Sequence, residues 1–146
     1  MKLIIQRVSE ASVTVENKIV GEIGDGILVL FGAKENDGEV EIDWLVNKLI
    51  NLRIFNDENN KMNLSVTDIN GAILVVPNFT LYADCKKGFR PSFINAAKPD
   101  ISEPLFNNFV NKLKTNSNLK IETGIFGADM KVSLVNNGPV TIEMEK

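Results

Sequence analysis

Ile73-Leu74-Val75-Val76-Pro77-Asn78-Phe79-Thr80-Leu81 is the stretch on which the reading of this chain turns. Ile73 to Val76 is an unbroken aliphatic and β-branched run, the composition of a strand buried on both faces. At Pro77 its character changes. Proline donates no ladder hydrogen bond, so pairing on one side must stop or bulge there. Asn78 and Thr80 are polar, with Phe79 between them. A strand that turns polar beside a proline presents side chains and free backbone N–H groups at an opening; the alternative is a strand leaving the core into a loop.

Outward from this stretch, the chain alternates strands with two helices. Lys2 to Ser9 reads as a first strand, and Ala11, Val13 and Val15 alternate with polar residues at the strand period. Asn17-Lys18 predicts a turn into a return strand, Ile19 to Ile23, and Gly24-Asp25-Gly26 a second turn. Gly26 to Ala33 is apolar throughout and predicts a central strand. Asp37 is a candidate N-cap, with Glu39 and Glu41 where a helix dipole favours acids. Ile42, Leu45, Val46 and Leu49 then follow the spacing of a core-facing helical stripe, with Trp44 as a flanking packing residue. Arg53 to Phe55 and Met62 to Val66 read as short extended pieces. Tyr82 to Ile101 is a long connection with little periodicity, and such loops are usually functional. A second helix is expected to start near Ser102 with Pro104 in its first turn, using Leu105, Phe106, Phe109, Val110 and Leu113 as its apolar face. Leu119–Phe126, Met130–Val135 and Val140–Met144 read as three further strands, the last two joined by a hairpin at Asn137-Gly138. The expectation is one domain over residues 1–146, of mixed α and β class, with helices on one side of curved sheets.

Absences narrow the chemistry. The 146-residue chain has no histidine and one cysteine, Cys85. Histidine-based triads are excluded, as are ordinary zinc sites. No acidic cluster argues for magnesium, and neither a P-loop nor a GxGxxG fingerprint is present. The lone cysteine suits a reducing cytosol. No apolar run approaches the ~20 residues of a membrane span, and the apolar part of Met1–Arg7 is too short for a signal peptide. The net charge of −3 argues against non-specific coating of nucleic acid.

Three constellations remain. Thr80 has no base to make it a nucleophile, so it is a hydrogen-bond donor or simply satisfied locally. From Asp84 to Lys98 there are four positive charges and one negative, with Phe89 among them. Cations beside an exposed aromatic suit a phosphate and a stacked base; a solvated loop anchored by Phe89 and Phe93 is the alternative. Gly138-Pro139 lies between two expected strands, where a fixed backbone offers carbonyl acceptors, or forms a plain turn.

Val75–Leu81, Gly88-Phe89-Arg90-Pro91-Ser92-Phe93, and Ala128-Asp129-Met130 through Asn137-Gly138-Pro139-Val140-Thr141 together resemble the D-aminoacyl-tRNA deacylases (D-tyrosyl-tRNA deacylases), as do Ile5-Gln6-Arg7-Val8 and Lys61-Met62-Asn63-Leu64. The resemblance runs in order along essentially the whole chain. It implies a three-layer α/β/β fold, two helices on curved, mostly antiparallel sheets, and a cytoplasmic homodimer with its sites at the subunit interface. The implied enzyme is an ester hydrolase that uses no metal or other cofactor. It frees a D-amino acid from the 3′-terminal adenosine of tRNA, and removes glycine from mischarged tRNA(Ala). Carried over, Pro77, Asn78, Phe79 and Thr80 line the pocket; with no histidine in the chain, the backbone N–H groups around Phe79 and Thr80 are the expected oxyanion donors. Phe89 lies near the terminal adenosine and Met130 near the pocket. Gly138 and Pro139, joined by a cis bond and held by Arg7, enter the partner's site and exclude L-substrates. Pro77 and Asn78 stand where the family has Ser and Gln, which removes a hydroxyl and an N–H. Those departures keep two alternatives in view: a non-hydrolytic module binding aminoacyl-adenosine ligands, and a relaxed deacylase accepting some L-aminoacyl-tRNAs.

Overall fold

The organising strand of the computed structural model, which describes residues 1–146, is β1 (Lys2–Val15). One of its edges is shared: its first half pairs with β3 (Gly26–Gly32) and its second half with β2 (Lys18–Ile23), both antiparallel. The remaining elements are α1 (Glu39–Ile50), β4 (Phe55–Asn56), β5 (Met62–Leu64), β6 (Ala72–Pro77), a 3-10 turn (Phe79–Tyr82), α2 (Pro99–Asn116), β7 (Lys120–Thr123) and β8 (Lys131–Glu145). The other edge of β1 pairs with β8 from Lys2 to Thr14, with register shifts on either side of Val8. On the far side of β3, β6 and then β7 add in parallel. The sheet curves until β2 faces β7: a Cβ on Gly21 would lie 2.7 Å from the Thr123 carbonyl oxygen.

Two apolar cores result. The larger lies between the helices and the sheet and contains Phe31, Leu45, Leu49, Ile73, Val75, Phe109 and Leu113. The smaller lies inside the curve of the sheet and contains Val8, Val13, Ile23, Leu28, Leu74 and Val76. β3 and β6 feed alternate side chains to both, which is why Gly26–Gly32 and Ala72–Val76 read as continuous apolar runs. The mixed class with two helices on a curved, mostly antiparallel sheet is therefore as expected.

Several local readings are corrected. The first turn is at Glu16-Asn17, both in the left-handed region (φ 49° and 62°), not Asn17-Lys18; two such residues match the twist of a tight hairpin. The α1 N-cap is Gly38, whose N–H donates to Glu41 Oε2 at 2.8 Å. Asp37 instead accepts the Lys34 N–H at 2.7 Å, closing the loop before the helix. Helix α2 begins at Pro99, so Pro104 lies in its interior. Pro99 takes the first helical position, where its fixed φ suits the helix and a missing N–H costs nothing. β7 is four residues long. Met130–Val135 and Val140–Met144 are not a hairpin but one strand, β8, because β1 templates both halves.

Gly26 marks the tightest approach in the sheet. A Cβ there would sit 2.0 Å from the Ala72 carbonyl oxygen and 2.7 Å from the Ala72 nitrogen. Backbone cannot swing aside as a side chain can, so Gly26→Ala is expected to cost about 1–3 kcal/mol of overpacking. The check is a thermal melt, with Tm falling by roughly 5–10 °C.

Candidate active site

β3 and β6 run parallel and end together at Phe31 and Pro77, paired residues of the ladder. The chain then bends: Asn78 N–H donates to the Phe31 carbonyl at 2.7 Å, and Phe79–Tyr82 winds into a single 3-10 turn. Asn78 caps it. Its Oδ1 accepts the Thr80 N–H at 3.2 Å and the Thr80 hydroxyl at 2.5 Å. Both donors of Thr80 are thus engaged by one side-chain oxygen. The Phe79 N–H stands at the first position of the turn and has no carbonyl within it to bond. Tyr82 ends the turn, buried, its hydroxyl 3.4 Å from Glu145 Oε1. Burial first, and then the Glu145 carboxylate, push that phenol well above its ordinary value, so it is no base near neutrality.

Beside the turn opens a pocket of about 390 Å³. Phe31, Pro77, Asn78, Phe79, Phe93 and Phe126 line it, and the start of α2 closes one side with Lys98, Pro99 and Ser102. Phe93 comes from the long loop and meets Phe79 edge-to-face, ring centres 5.1 Å apart. The loop is tied down by paired hydrogen bonds between Asp84 and Ser92 and by the Ala97 N–H on the Ala33 carbonyl. Phe89, at its tip, is fully exposed and anchors nothing. Of the expected pocket residues, Pro77, Asn78 and Phe79 are brought together here. Thr80 follows on the turn, solvent-facing. Met130 lies behind Pro77: a Cβ on Gly124 would meet the Met130 sulfur at 2.6 Å and Pro77 Cδ at 3.5 Å.

Gly138 and Pro139 lie elsewhere. Asn136 of β8 pairs with Val8 and Thr141 with Gln6, so residues 137–140 bulge out opposite Arg7 alone. The bond between Gly138 and Pro139 is cis, and both residues are exposed. Arg7 fixes the base of the bulge: its Nε donates to the Asn137 carbonyl at 2.7 Å and its Nη1 to the Ile54 carbonyl at 2.5 Å. Arg7 pairs with Ile27, four residues before Phe31 on β3. At ~3.3 Å per residue, the bulge lies roughly 13 Å along the sheet from the pocket of its own chain.

Against known families, residues 4–145 match the model described as D-Tyr-tRNA(Tyr) deacylase. The chain belongs to the D-Tyr-tRNA(Tyr) deacylase family. The membership read from the sequence is thereby borne out, and with it the reading as an ester hydrolase. Among its relatives, the D-aminoacyl-tRNA deacylase of Flavobacterium psychrophilum is 59% identical, over 97% of this chain and 95% of that one. That of Thermosipho africanus is 57% identical, over 99% and 97%. A solved structure titled c-Myc DNA Unwinding Element Binding Protein superposes with a TM-score of 0.95 at 41% identity, covering 100% of this chain and 99% of that one. A second, titled as a probable eukaryotic D-amino acid tRNA deacylase, superposes at 0.82 with 18% identity over 98% and 97%, a likeness of fold.

Sequence reasoning about this deacylase missed Phe31, Phe93, Phe126 and Ser102 as pocket residues. The first was assigned wholly to a central strand, and it does serve both: one side of the ring packs on Phe106 and Phe109 in the core. Only Phe93 carried a signal, its place in a long aromatic and basic loop.

Proposed function

We propose that the chain hydrolyses the ester of D-aminoacyl-tRNA in translation proofreading, as a cytoplasmic homodimer whose two sites each need both subunits. The observation that carries this is an apolar pocket lined by Phe79, the first residue of a turn that leaves its N–H without a carbonyl partner inside the turn, in a chain without histidine. An aminoacyl ester beside a ribose 2′-hydroxyl is already labile, so modest assistance suffices. Water adds to the ester carbonyl, and the Phe79 N–H stabilises the oxyanion as charge develops. The bond to the ribose 3′-oxygen then breaks, and the proton from the attacking water reaches that oxygen by way of the 2′-hydroxyl. Asn78 and Thr80 hold the turn in shape rather than react.

Chirality comes from the bulge. Gly138 and Pro139 reach the pocket of the partner subunit, where their carbonyls accept the α-ammonium and leave no room for an L side chain. Rejection by clash outdoes the ~1–3 kcal/mol a hydrophobic pocket distinguishes. Glycine, lacking a side chain, fits the same space, which is the basis for acting on glycyl-tRNA(Ala).

Single-turnover assay of D- and L-charged tRNA is the test. Rapid release from the D-ester with the L-ester spared supports the reading. Comparable cleavage of both makes this a relaxed deacylase, and binding without turnover makes it a binding module. Thr80→Ala is a finer probe: with the Asn78 oxygen still holding the Thr80 N–H, turnover should fall less than about tenfold. Loss of turnover with substrate binding intact would make the hydroxyl a reacting group and end the backbone account, since one lost oxyanion donor typically costs about 10²–10³.

A further inference from the structure

The Asp84 and Ser92 N–H groups each donate to the other residue's carbonyl, at 2.7 and 2.9 Å, and pinch the long loop into a tip running from Cys85 to Pro91. The tip is shaped from within. Asp84 Oδ1 accepts the Lys86 N–H at 2.9 Å, and Gly88 turns through the left-handed region at φ 67°. Every residue of the tip is exposed. Phe89, alone among the phenylalanines, stands wholly in solvent, and no other ring meets it. Lys86, Lys87 and Arg90 flank it, the tip holds no acid, and none of the three cations takes part in an ion pair. A single exposed ring is ordinary. This one is set among unpaired cations on an otherwise acidic chain: outside the tip, 19 acidic side chains stand against 13 basic ones. A polyanion is repelled by the body of the protein and drawn to the tip.

Resting on the deacylase reading, we propose that this tip is a platform for the unpaired 3′ strand of the tRNA upstream of its terminal adenosine. Phe89 stacks on one base of that strand, and Lys86, Lys87 and Arg90 take the phosphates beside it. The placement of the ring separates this platform from the pocket. Phe93, where the loop returns, lines the pocket; Phe89, four residues earlier, does not. Phe89 therefore serves a part of the substrate beyond the esterified nucleoside. A strand leaving the pocket past Phe93 runs onto the cations of the same loop. The pairing of groups fits a nucleotide in particular. An acidic peptide would use the charges and leave the ring idle, whereas each nucleotide brings one phosphate and one flat π-face. Stacking reads no base edge, so the platform adds grip without sequence preference.

The experiment compares D-tyrosyl-tRNA with D-tyrosyl-adenosine, the same ester without the strand. Phe89→Ala should raise KM for the tRNA about five- to tenfold, the lower end of what one stacked base contributes. The kcat should hold, because the platform grips ground and transition states alike. KM for the nucleoside ester should stay at the wild-type value. Phe89→Trp should keep the grip, and Phe89→Leu, apolar but without a π-face, should lose it. Lys86→Gln, Lys87→Gln and Arg90→Gln should each flatten the log–log salt dependence of uncharged-tRNA binding by about 0.7, the single-strand value per phosphate contact. No ring packs on Phe89, so the melting curves should coincide. An unchanged KM for the tRNA in Phe89→Ala would overturn the proposal. So would a loss shared by the nucleoside ester, which would place the ring on the terminal adenosine. A dissociated dimer with tRNA binding intact would overturn it too, making the tip a subunit contact. If wild type cleaves neither ester, the deacylase reading fails, and binding of uncharged tRNA by the same variants still decides the platform.

Discussion

Gly138→Ala is expected to reduce turnover of D-aminoacyl-tRNA by at least about 100-fold while leaving the fold intact. A Cβ at this position would lie 2.0 Å from the Val140 nitrogen and 3.2 Å from Val140 Cα. Nothing about that contact can relax by a rotamer change, since the obstacle is the backbone two residues on. The bulge must redraw its path, and its carbonyls move off the positions at which the proposed mechanism has them accept the substrate ammonium. A misplacement of about 1 Å can cost 10²-fold. Gly138 and Pro139 are exposed and only Val140, at the end of the bulge, packs against the larger core, so the stability cost should stay within the ~1–3 kcal/mol of overpacking, well short of unfolding the chain. Two measurements check this: single-turnover rates on D- and L-charged tRNA, and the melting temperature. Mixing supplies a third. If the bulge of one subunit completes the pocket of the other, Gly138→Ala combined with a variant crippled at the turn, such as Phe79→Pro, which lacks the donor N–H, regains one whole site in each mixed dimer. Random exchange in a two-fold dimer makes about half the molecules mixed, so activity should return to about a quarter of wild type. No recovery, with mixed dimers shown to form, would place both parts in one subunit's site.

The bulge also marks the limit of what the sequence discloses. Arg7 and Gly138 are 131 positions apart, yet β1 aligns them; only the family resemblance pointed to Arg7 as the bulge's support, and nothing in the composition around either residue announces that Asn137 is held by a guanidinium. Periodicity placed α1 well because its stripe, Ile42, Leu45, Val46 and Leu49, is a property of local spacing. It misjudged the start of α2, since Lys98 has no side chain suited to an N-cap and Pro99 does that work by geometry. It split β8 in two because Asn136-Asn137-Gly138-Pro139 has the composition of a turn; a neighbouring strand overrides composition when it supplies the hydrogen bonds. The candidate site was legible where its residues are contiguous, from Pro77 to Thr80. Phe126 and Ser102 were invisible because each sits in an unremarkable apolar or helical run, and only the crossing of α2 over the ends of β3 and β6 gives them a shared cavity.

That crossing is held by Phe109, and the largest loss of stability is expected from Phe109→Ala. The ring is fully buried and packs on Phe31 with centres 5.1 Å apart. Deleting a buried aromatic typically costs about 3–5 kcal/mol, made up of lost transfer energy and the cavity left behind. Against a total of roughly 5–15 kcal/mol that is a third or more of the fold's margin, and for a chain of this size it should lower Tm by about 10–15 °C. The effect should not stop at the core. Phe31 lies between Phe109 and the pocket, so its ring can tilt into the vacated space and widen the site from behind. At a temperature where the variant remains folded, KM for D-aminoacyl-tRNA should therefore rise, while the Phe79 turn, anchored separately by Asn78 on the Phe31 carbonyl, keeps kcat within a few-fold. Phe109→Leu, which fills more of the cavity, should recover most of the KM and part of the Tm. A Tm loss with KM unchanged would mean that the pocket wall stands without support from the helical core.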